Sequence, residues 1–435
     1  MRSFSRATAA LVAVLGVPGD LRRVLLTYGQ STLGDAAGNV ALLLVAYERL
    51  HSPWAISTVL IGAYAPRIVI APIAGVLADT VSRRPCVVGA DLLRAAAMIG
   101  LALIGSFPVT AALAVAVGAG NALYRPVAAA SMRTLAGPEL QDEAAAARSL
   151  ITNIALGLGP ALAAGLLAIG TPGDILLVDA ATFIISAAIL AGVRLDAEPH
   201  AHTSTAAAGL LGRLREAARA VREAAAGLLG RLREGGRAVR DLPGLADLLV
   251  TVQLVLLAGG MMSVAEPLLA KNVLHGGDSG FAALSAAVAI GFFVGSYSAA
   301  DTPDSAGAMR RGYLLALGVA SLGLFATSIA PTLLAAALAS VLTGIGNDYS
   351  LTRQEQLLQH VPGHLLGRVF GFKDMAGGIA LTVAYGAGGA VTAAIGPRAV
   401  IALAAGGIAV AALVGARRLR LIVESATVPQ PAERS

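Results

Sequence analysis

The sequence predicts an all-α membrane protein with twelve transmembrane helices in two six-helix halves. Three observations lead there. Of 435 residues, 56% are hydrophobic and 13% charged, whereas a soluble domain carries about a quarter charged residues. Too few charges remain to cover a water-facing surface. The apolar residues fall in runs of about 20, the length a helix needs to cross a bilayer. The Lys and Arg residues gather in alternate links between those runs, the asymmetry that fixes membrane orientation.

Residues 1–20 carry Arg2, Arg6 and a short apolar run. They read as a cytosolic lead-in, not a cleaved signal peptide, because no small-x-small site follows cleanly and Arg22-Arg23 precede the first full span. Spans are expected near 24–47, 54–78, 86–105, 110–132, 144–169 and 175–193, which with the lead-in make an N-terminal half of residues 1–194. They resume near 245–269, 281–300, 312–329, 332–358, 369–394 and 399–416, giving a C-terminal half of 244–418 and a disordered cytosolic tail of 419–435.

Most of the 32 basic residues fall on one side of this layout. Arg49, Lys271 and Arg398 flank the other side, and Arg67, Arg94, Arg125 and Arg353 lie within spans. Both termini are therefore expected in the cytosol. The net charge of +6 becomes a topology signal and a contact to anionic lipids, not a nucleic-acid footprint.

Between the halves, residues 195–243 form a polar cytosolic linker in which Gly209-Leu210-Leu211-Gly212-Arg213-Leu214-Arg215-Glu216 recurs 18 residues later as Gly227-Leu228-Leu229-Gly230-Arg231-Leu232-Arg233-Glu234. That shift is about five helical turns, so one continuous helix would present the same face twice. Leu210, Leu214, Ala217 and Val221 on one side, with Arg213, Arg219 and Arg222 nearby, suit a helix lying on the cytosolic leaflet. Gly235-Gly236 is expected to weaken the second copy. A tether that lets the halves rock and a regulatory or partner-docking segment are both open readings.

The halves echo each other. Gly118-Ala119-Gly120-Asn121 in the fourth span returns as Gly344-Ile345-Gly346-Asn347 in the tenth, an offset of 226. Parallel repeats of this kind place a substrate site near mid-membrane.

The link Gly75-Val76-Leu77-Ala78-Asp79-Thr80-Val81-Ser82-Arg83-Arg84 puts one carboxylate and two guanidiniums between two spans. Such a link belongs at a membrane face, where helix ends and phosphates can hold the charges. Its pattern resembles the loop between helices 2 and 3 of the major facilitator superfamily. The resemblance is most specific to the exporter branch of siderophore- and macrolide-efflux proteins. It also rests on Gly34-Asp35, Asp91-Leu92-Leu93-Arg94-Ala95, Tyr124-Arg125-Pro126 and Gly367-Arg368-Val369-Phe370-Gly371. Thr80 and Ser82 depart from that family's usual basic residue and glycine. The resemblance implies that Gly75, Asp79, Arg83 and Arg84 form a cytosolic gate. It also implies that Ala155-x-x-x-Gly159-Pro160 is a degenerate antiporter signature; Pro160 would kink its helix, and close packing alone would equally explain the small residues.

Asp35 is the sharpest single candidate. A lone charge in mid-span costs at least ~2.5 kcal/mol on insertion scales, so it faces a cavity or a partner. It is expected either to carry the coupling proton or to sit in a permanent ion pair, with Arg125 as partner. Glu266, before Pro267, is a second proton-coupling candidate, against an outer gate or lipid-boundary charge. Asn39, Arg67, Asn121, Arg125, Asn153, Gln253 and Asn347 are cavity candidates or interhelical glue, and Tyr64, Met261 and Met262 suit an adaptable apolar pocket or core. Asp348, Arg353 and Glu355 are expected to form a structural network, and Asp91 with Arg94 a packing pair.

No phosphate-binding Gly-rich loop is present, which argues against an ATP-driven pump. Cys86 is the one cysteine, and His360 with His364 lacks a third ligand, so neither a metal nor another cofactor is expected. Nothing resembles a nucleophile with its base, so the chain is not read as an enzyme. The expectation is a monomeric inner-membrane exporter that exchanges protons for a small amphipathic molecule. An uptake carrier on the same fold and a non-transporting sensor acting through the linker are the alternatives.

Overall fold

The computed structural model describes residues 12, 16, 19–70, 74, 82–195, 230, 234–237, 239–240, 242, 244–300, 305–358, 361 and 363–419. The described residues are helical apart from short links and contain no strand. The chain divides into two compact units, Arg2–Gly230 and Arg231–Ser435.

In the first unit, α1 spans Asp20–Leu50. Helix α2 spans Pro53–Tyr64 and, after a turn at Ala65, continues to Ile70. Helix α3 covers Arg83–Leu103, and a 61-residue run, Phe107–Leu167, follows. Gly137 breaks that run with φ 66° and ψ 179°, a backbone conformation open to glycine. Pro138 then opens the next helix, where its missing N–H is no loss. The run is thus α4 (107–136) and α5 (138–167). A loop was expected between residues 132 and 144; instead two helices meet at one glycine, because Glu139, Leu140, Gln141, Glu143 and Ala144 are good helix formers. Helix α6 (Pro172–Ala191) starts with a capping box in which Thr171 Oγ1 accepts from the Asp174 amide and the Asp174 carboxylate accepts from the Thr171 amide at 2.7 Å.

In the second unit, α7 (Leu245–Leu268) runs on through a π-helical turn, Leu269–Val273. It is followed by α8 (Gly277–Ala300), α9 (Ala306–Ile329), α10 (Leu333–Leu358), α11 (Gly363–Ile395) and α12 (Pro397–Arg418). Nine helical stretches among the described residues are long and apolar enough to cross a membrane, with the α4–α5 run counted once. Helices α1 and α10 have the length but carry more polar residues. Six crossings per unit are consistent with this inventory.

The two units share one internal plan. Their helices start at residues 20, 53, 83, 107, 138 and 172 and at 245, 277, 306, 333, 363 and 397, so each counterpart follows by 223 to 226 residues. In the first, α1 packs on α5 and α6, α4 on α2 and α3, and α3 on α6; in the second, α7 packs on α11 and α12, α10 on α8 and α9, and α9 on α12. The Gly-x-Gly pairs explain the central helix of each unit. Residues two apart point about 200° apart round a helix, so the two glycines serve two neighbours. A Cβ on Gly118 would meet the Gly62 carbonyl of α2 at 2.5 Å, and one on Gly120 would meet Arg94 Cγ of α3 at 2.5 Å and Ala90 O at 3.2 Å. At the 226 offset, Gly344 faces Val288 O of α8 at 2.1 Å, and Gly346 faces Ala320 N and Ala316 O of α9 at 2.3 and 2.5 Å.

Arginines close several helix ends, where carbonyls lack intrahelical partners and the helix dipole is negative. Arg49 donates to Leu101 O at the end of α3. Arg353 donates to Ala299 O of α8 at 2.7 Å, Arg310 to Ala416 O of α12 at 2.8 Å, and Arg398 to Ser328 O and Ala330 O at the end of α9 at 2.9 and 2.7 Å. Arg353 forms no ion pair with Asp348 or Glu355, contrary to the network expected; its other bonds go to Gln356 at 2.8 Å and Tyr349 Oη at 3.5 Å.

Most of the duplicated linker, Gly75 and Asp79 of the gate loop, His360, and residues 420–435 lie outside the described residues. Gly235 and Gly236, expected to weaken a helix, are helical. Gly235 gives room to α11, since a Cβ there would meet Phe372 Cβ at 2.8 Å.

Candidate functional site: a buried ion cluster in the first unit

Four ionisable side chains from three helices are buried together: Asp35 of α1 (8% exposed), Asp91 and Arg94 of α3 (0% and 1%) and Asp179 of α6 (1%). Asp91 and Arg94, three residues apart, share one face of α3, and Arg94 Nη2 donates to Asp91 Oδ1. Arg94 Nη1 donates to Asn121 Oδ1 of α4 at 2.9 Å and lies 3.5 Å from Asp35 Oδ2. The guanidinium carbon sits 4.2 Å from the Tyr124 ring centre and 4.1 Å from that of Phe183. It is stacked between two aromatic faces, a favourable setting for a planar cation. Gly120 makes this possible by letting the Arg94 stem lie against α4.

Asp179 is held differently. Thr182 Oγ1 donates to the Asp179 backbone carbonyl at 2.7 Å and lies 3.3 Å from the carboxyl Oδ1, while Oδ2 is buried without a hydrogen-bond partner. The carboxyl rests on α1 where Gly34 and Gly38 leave space; a Cβ on Gly34 would meet Oδ1 at 2.6 Å and one on Gly38 would meet Oδ2 at 2.3 Å. Three carboxyls thus surround one guanidinium. Desolvating ions is costly unless each is matched, so the charge state of this cluster is tied to how its helices pack.

The sequence singled out Asp35 and Asn121, and both lie in the cluster. It treated Asp91 and Arg94 as a packing pair, and it passed over Asp179. The partner of Asp35 is Arg94, not Arg125, which is exposed. Tyr124 points inward, and the next residue lies about 100° round the helix, so Arg125 points away. Asn39, Asn153 and Asn347 are likewise exposed. Arg67 stacks its guanidinium 4.6 Å from the Tyr64 ring. Gln253 is half-buried with both amide atoms lacking a hydrogen-bond partner, and Glu266 is buried with Oε1 in the same condition. Arg83 donates to Thr134 Oγ1 of α4 at 2.6 Å, and Arg84 is exposed. Gly159 of α5 abuts α1 beside Asp35: a Cβ there would lie 2.3 Å from Ala36 Cβ. Pro160 follows within α5. No group of three His, Cys, Asp or Glu among the described residues is arranged to hold a metal ion.

The second unit has nothing comparable in the same places. At the 226 offset, Met261, Leu317, Ala320 and Ala405 stand where Asp35, Asp91, Arg94 and Asp179 stand in the first. Leu317, Ala320 and Ala405 belong to its hydrophobic core, and Met261 packs against it.

A duplicated six-helix membrane unit is the architecture of the internally repeated membrane-carrier folds. The chain belongs to the Major Facilitator Superfamily, which it matches over residues 24–352. Over 161 residues it is 28% identical to a Bacillus subtilis (strain 168) protein described as an uncharacterized MFS-type transporter, YfiS. The match covers 37% of this chain and 39% of that relative, so the chain spans about two-fifths of the curated relative's length. The fold is similar to that of a bacterial homolog of the human lysosomal transporter Spinster in an inward-facing, unoccupied conformation (TM-score 0.65, 16% identity, 95% of this chain and 100% of that one). It is also similar to a POT family transporter in complex with 5-aminolevulinic acid (TM-score 0.67, 12% identity, 95% and 100% covered). The human organic anion transporter MFSD10 gives a TM-score of 0.57 at 16% identity, with 92% and 100% covered. At these identities the likeness is one of fold.

Proposed function

We propose that the protein is a proton-coupled exporter of a small amphipathic molecule in the bacterial inner membrane, with both termini cytosolic, acting as a monomer. The carrying observation is the position of Asp35: buried in α1, within reach of Arg94, and at a helix contact where Gly159 of the antiporter-like segment presses on Ala36. Gain or loss of a proton at Asp35 changes the charge balance around Arg94 and with it the packing of α1 on its neighbours. Glu266, buried without a partner for Oε1, is a second proton-linked group. Asn39, Arg125, Asn153 and Asn347 are polar residues on exposed helix faces; polar groups in spans face water-filled passages far more often than lipid, and we assign them to the substrate path. Arg83, tied to α4, and Arg84 act with Gly75 and Asp79 as the cytosolic gate.

The test is movement of a fluorescent amphipathic dye in vesicles under an imposed pH gradient. Wild type drives the dye against its gradient, and Asp35→Asn abolishes this. Undiminished gradient-driven movement in Asp35→Asn removes Asp35 from coupling, and dye movement in the opposite sense makes the protein an uptake carrier.

A further inference from the structure

Asp179 is the carboxyl of the cluster that Arg94 does not reach with a hydrogen bond, and nothing in the coupling scheme above uses it. We propose that Asp179 holds the coupling proton, that Asp35 is the port through which the proton enters and leaves, and that Arg94 changes partners between them. This rests on the proton-coupled reading and assigns its chemistry to a different residue.

The geometry carries the inference. The Asp179 side chain is 1% exposed, and its Oδ2 has no hydrogen-bond partner. An ionised carboxylate left in that condition pays a desolvation cost that a neutral carboxylic acid escapes. The groups that face it are Asp35 from α1, Arg94 from α3 and Thr182 on its own helix. Arg94 is the one cation among them, and it is engaged by Asp91, Asn121 and Asp35. The carboxyls are not arranged to hold a metal ion. Asp35, at 8%, is the most exposed of the three carboxyls.

The step balances. Starting from neutral Asp179 with Asp35 ionised against Arg94, the proton passes from Asp179 Oδ2 to Asp35, and the guanidinium swings from Asp35 to the new Asp179 carboxylate. The cluster charge is unchanged until Asp35 gives the proton to water. Because Asp179 rests on Gly34 and Gly38, the exchange acts directly on the α1–α6 contact. The second unit carries Ala405 at the matching position, so the exchange belongs to the first unit alone.

The test is infrared difference spectroscopy of the full-length protein in lipid nanodiscs between acid and alkaline buffer, reading the carbonyl stretch of protonated carboxyls. Wild type should show a pH-dependent component that Asp179→Asn lacks. Asp35→Asn should keep it, since a port is not needed at equilibrium. If Asp179→Asn does not fold, Thr182→Val removes the hydroxyl that lies 3.3 Å from Oδ1 and should shift the component's frequency. A component that survives Asp179→Asn, that vanishes in Asp35→Asn, or that ignores Thr182→Val overturns this assignment while leaving proton coupling intact. A wild-type protein with no such component overturns both.

Discussion

Asp179 and Gly38 are in contact across α6 and α1, so closely that a methyl group on the glycine would come within 2.3 Å of the carboxyl Oδ2 and 3.0 Å of its Cγ. The aspartate side chain is short and buried, so it has little room to retreat. Gly38→Ala should therefore destabilise by about 1–3 kcal/mol, the usual cost of overpacking. Gly406→Ala, on α12 with nothing within 4 Å of the new methyl, should instead stabilise by roughly 0.5–1 kcal/mol through helix propensity. Thermal unfolding of the two variants in detergent measures the difference, and equal melting temperatures would contradict the contact.

Arg94 is held by stacking as well as by charge. Arg94→Ala removes the cation from three buried carboxyls and should cost about 3–5 kcal/mol, as breaking a buried pair does. Arg94→Lys keeps the charge but loses the planar stack between Tyr124 and Phe183 and the forked bonds to Asn121 and Asp91. It should fall between wild type and alanine. Size-exclusion profiles and melting curves rank the three proteins, and a wild-type melting curve for Arg94→Ala would show that the cluster does not hold the first unit together.

The helices were legible because apolar runs of membrane length and a one-sided distribution of basic residues leave few other folds. The 226-residue offset was legible in Gly118-x-Gly120-Asn121 and its echo, and the packing gives it a reason: both glycines of each pair are needed for contact with two neighbours. Asp179 was missed because it lies between Val178 and Ala180 with no motif, and its meaning comes from α1, far away in the chain. A mid-span carboxylate is costly wherever it sits, so Asp179 carries the same sequence signal as Asp35. Arg125 is the partner the sequence offers Asp35, and the structure gives Arg94 instead, because spacing along the sequence does not say which side of α4 faces the core.

The repeat predicts paired effects. Gly118→Ala and Gly344→Ala each force a Cβ against a backbone carbonyl of a neighbouring helix, Gly62 O at 2.5 Å and Val288 O at 2.1 Å. A backbone cannot step aside as a side-chain tip can, so both variants should give little folded protein. Fluorescence-detected size exclusion of tagged variants checks this, with Gly165→Ala, whose new methyl meets nothing within 4 Å, as the tolerated control. If Gly344→Ala folded normally while Gly118→Ala did not, the two units would not share the packing rule.

Arg398 and Arg368 separate two kinds of surface arginine. Arg398 donates to Ser328 O and Ala330 O at 2.9 and 2.7 Å, closing the end of α9 from α12. These are charge-assisted bonds to carbonyls that have no other partner in their helix, so Arg398→Ala should cost about 1–3 kcal/mol. Arg368 meets Glu234 at 4.0 Å, with both side chains 58% exposed. Screening and side-chain entropy leave such a pair worth ~0–1 kcal/mol. Melting curves at low and high salt distinguish the two. Arg398→Ala should lower the melting temperature at both salt concentrations, because its partners are backbone dipoles held at a fixed distance. Arg368→Ala should show only a small change, confined to low salt, and a larger loss for Arg368→Ala than for Arg398→Ala would reverse the assignment of which arginine closes a helix.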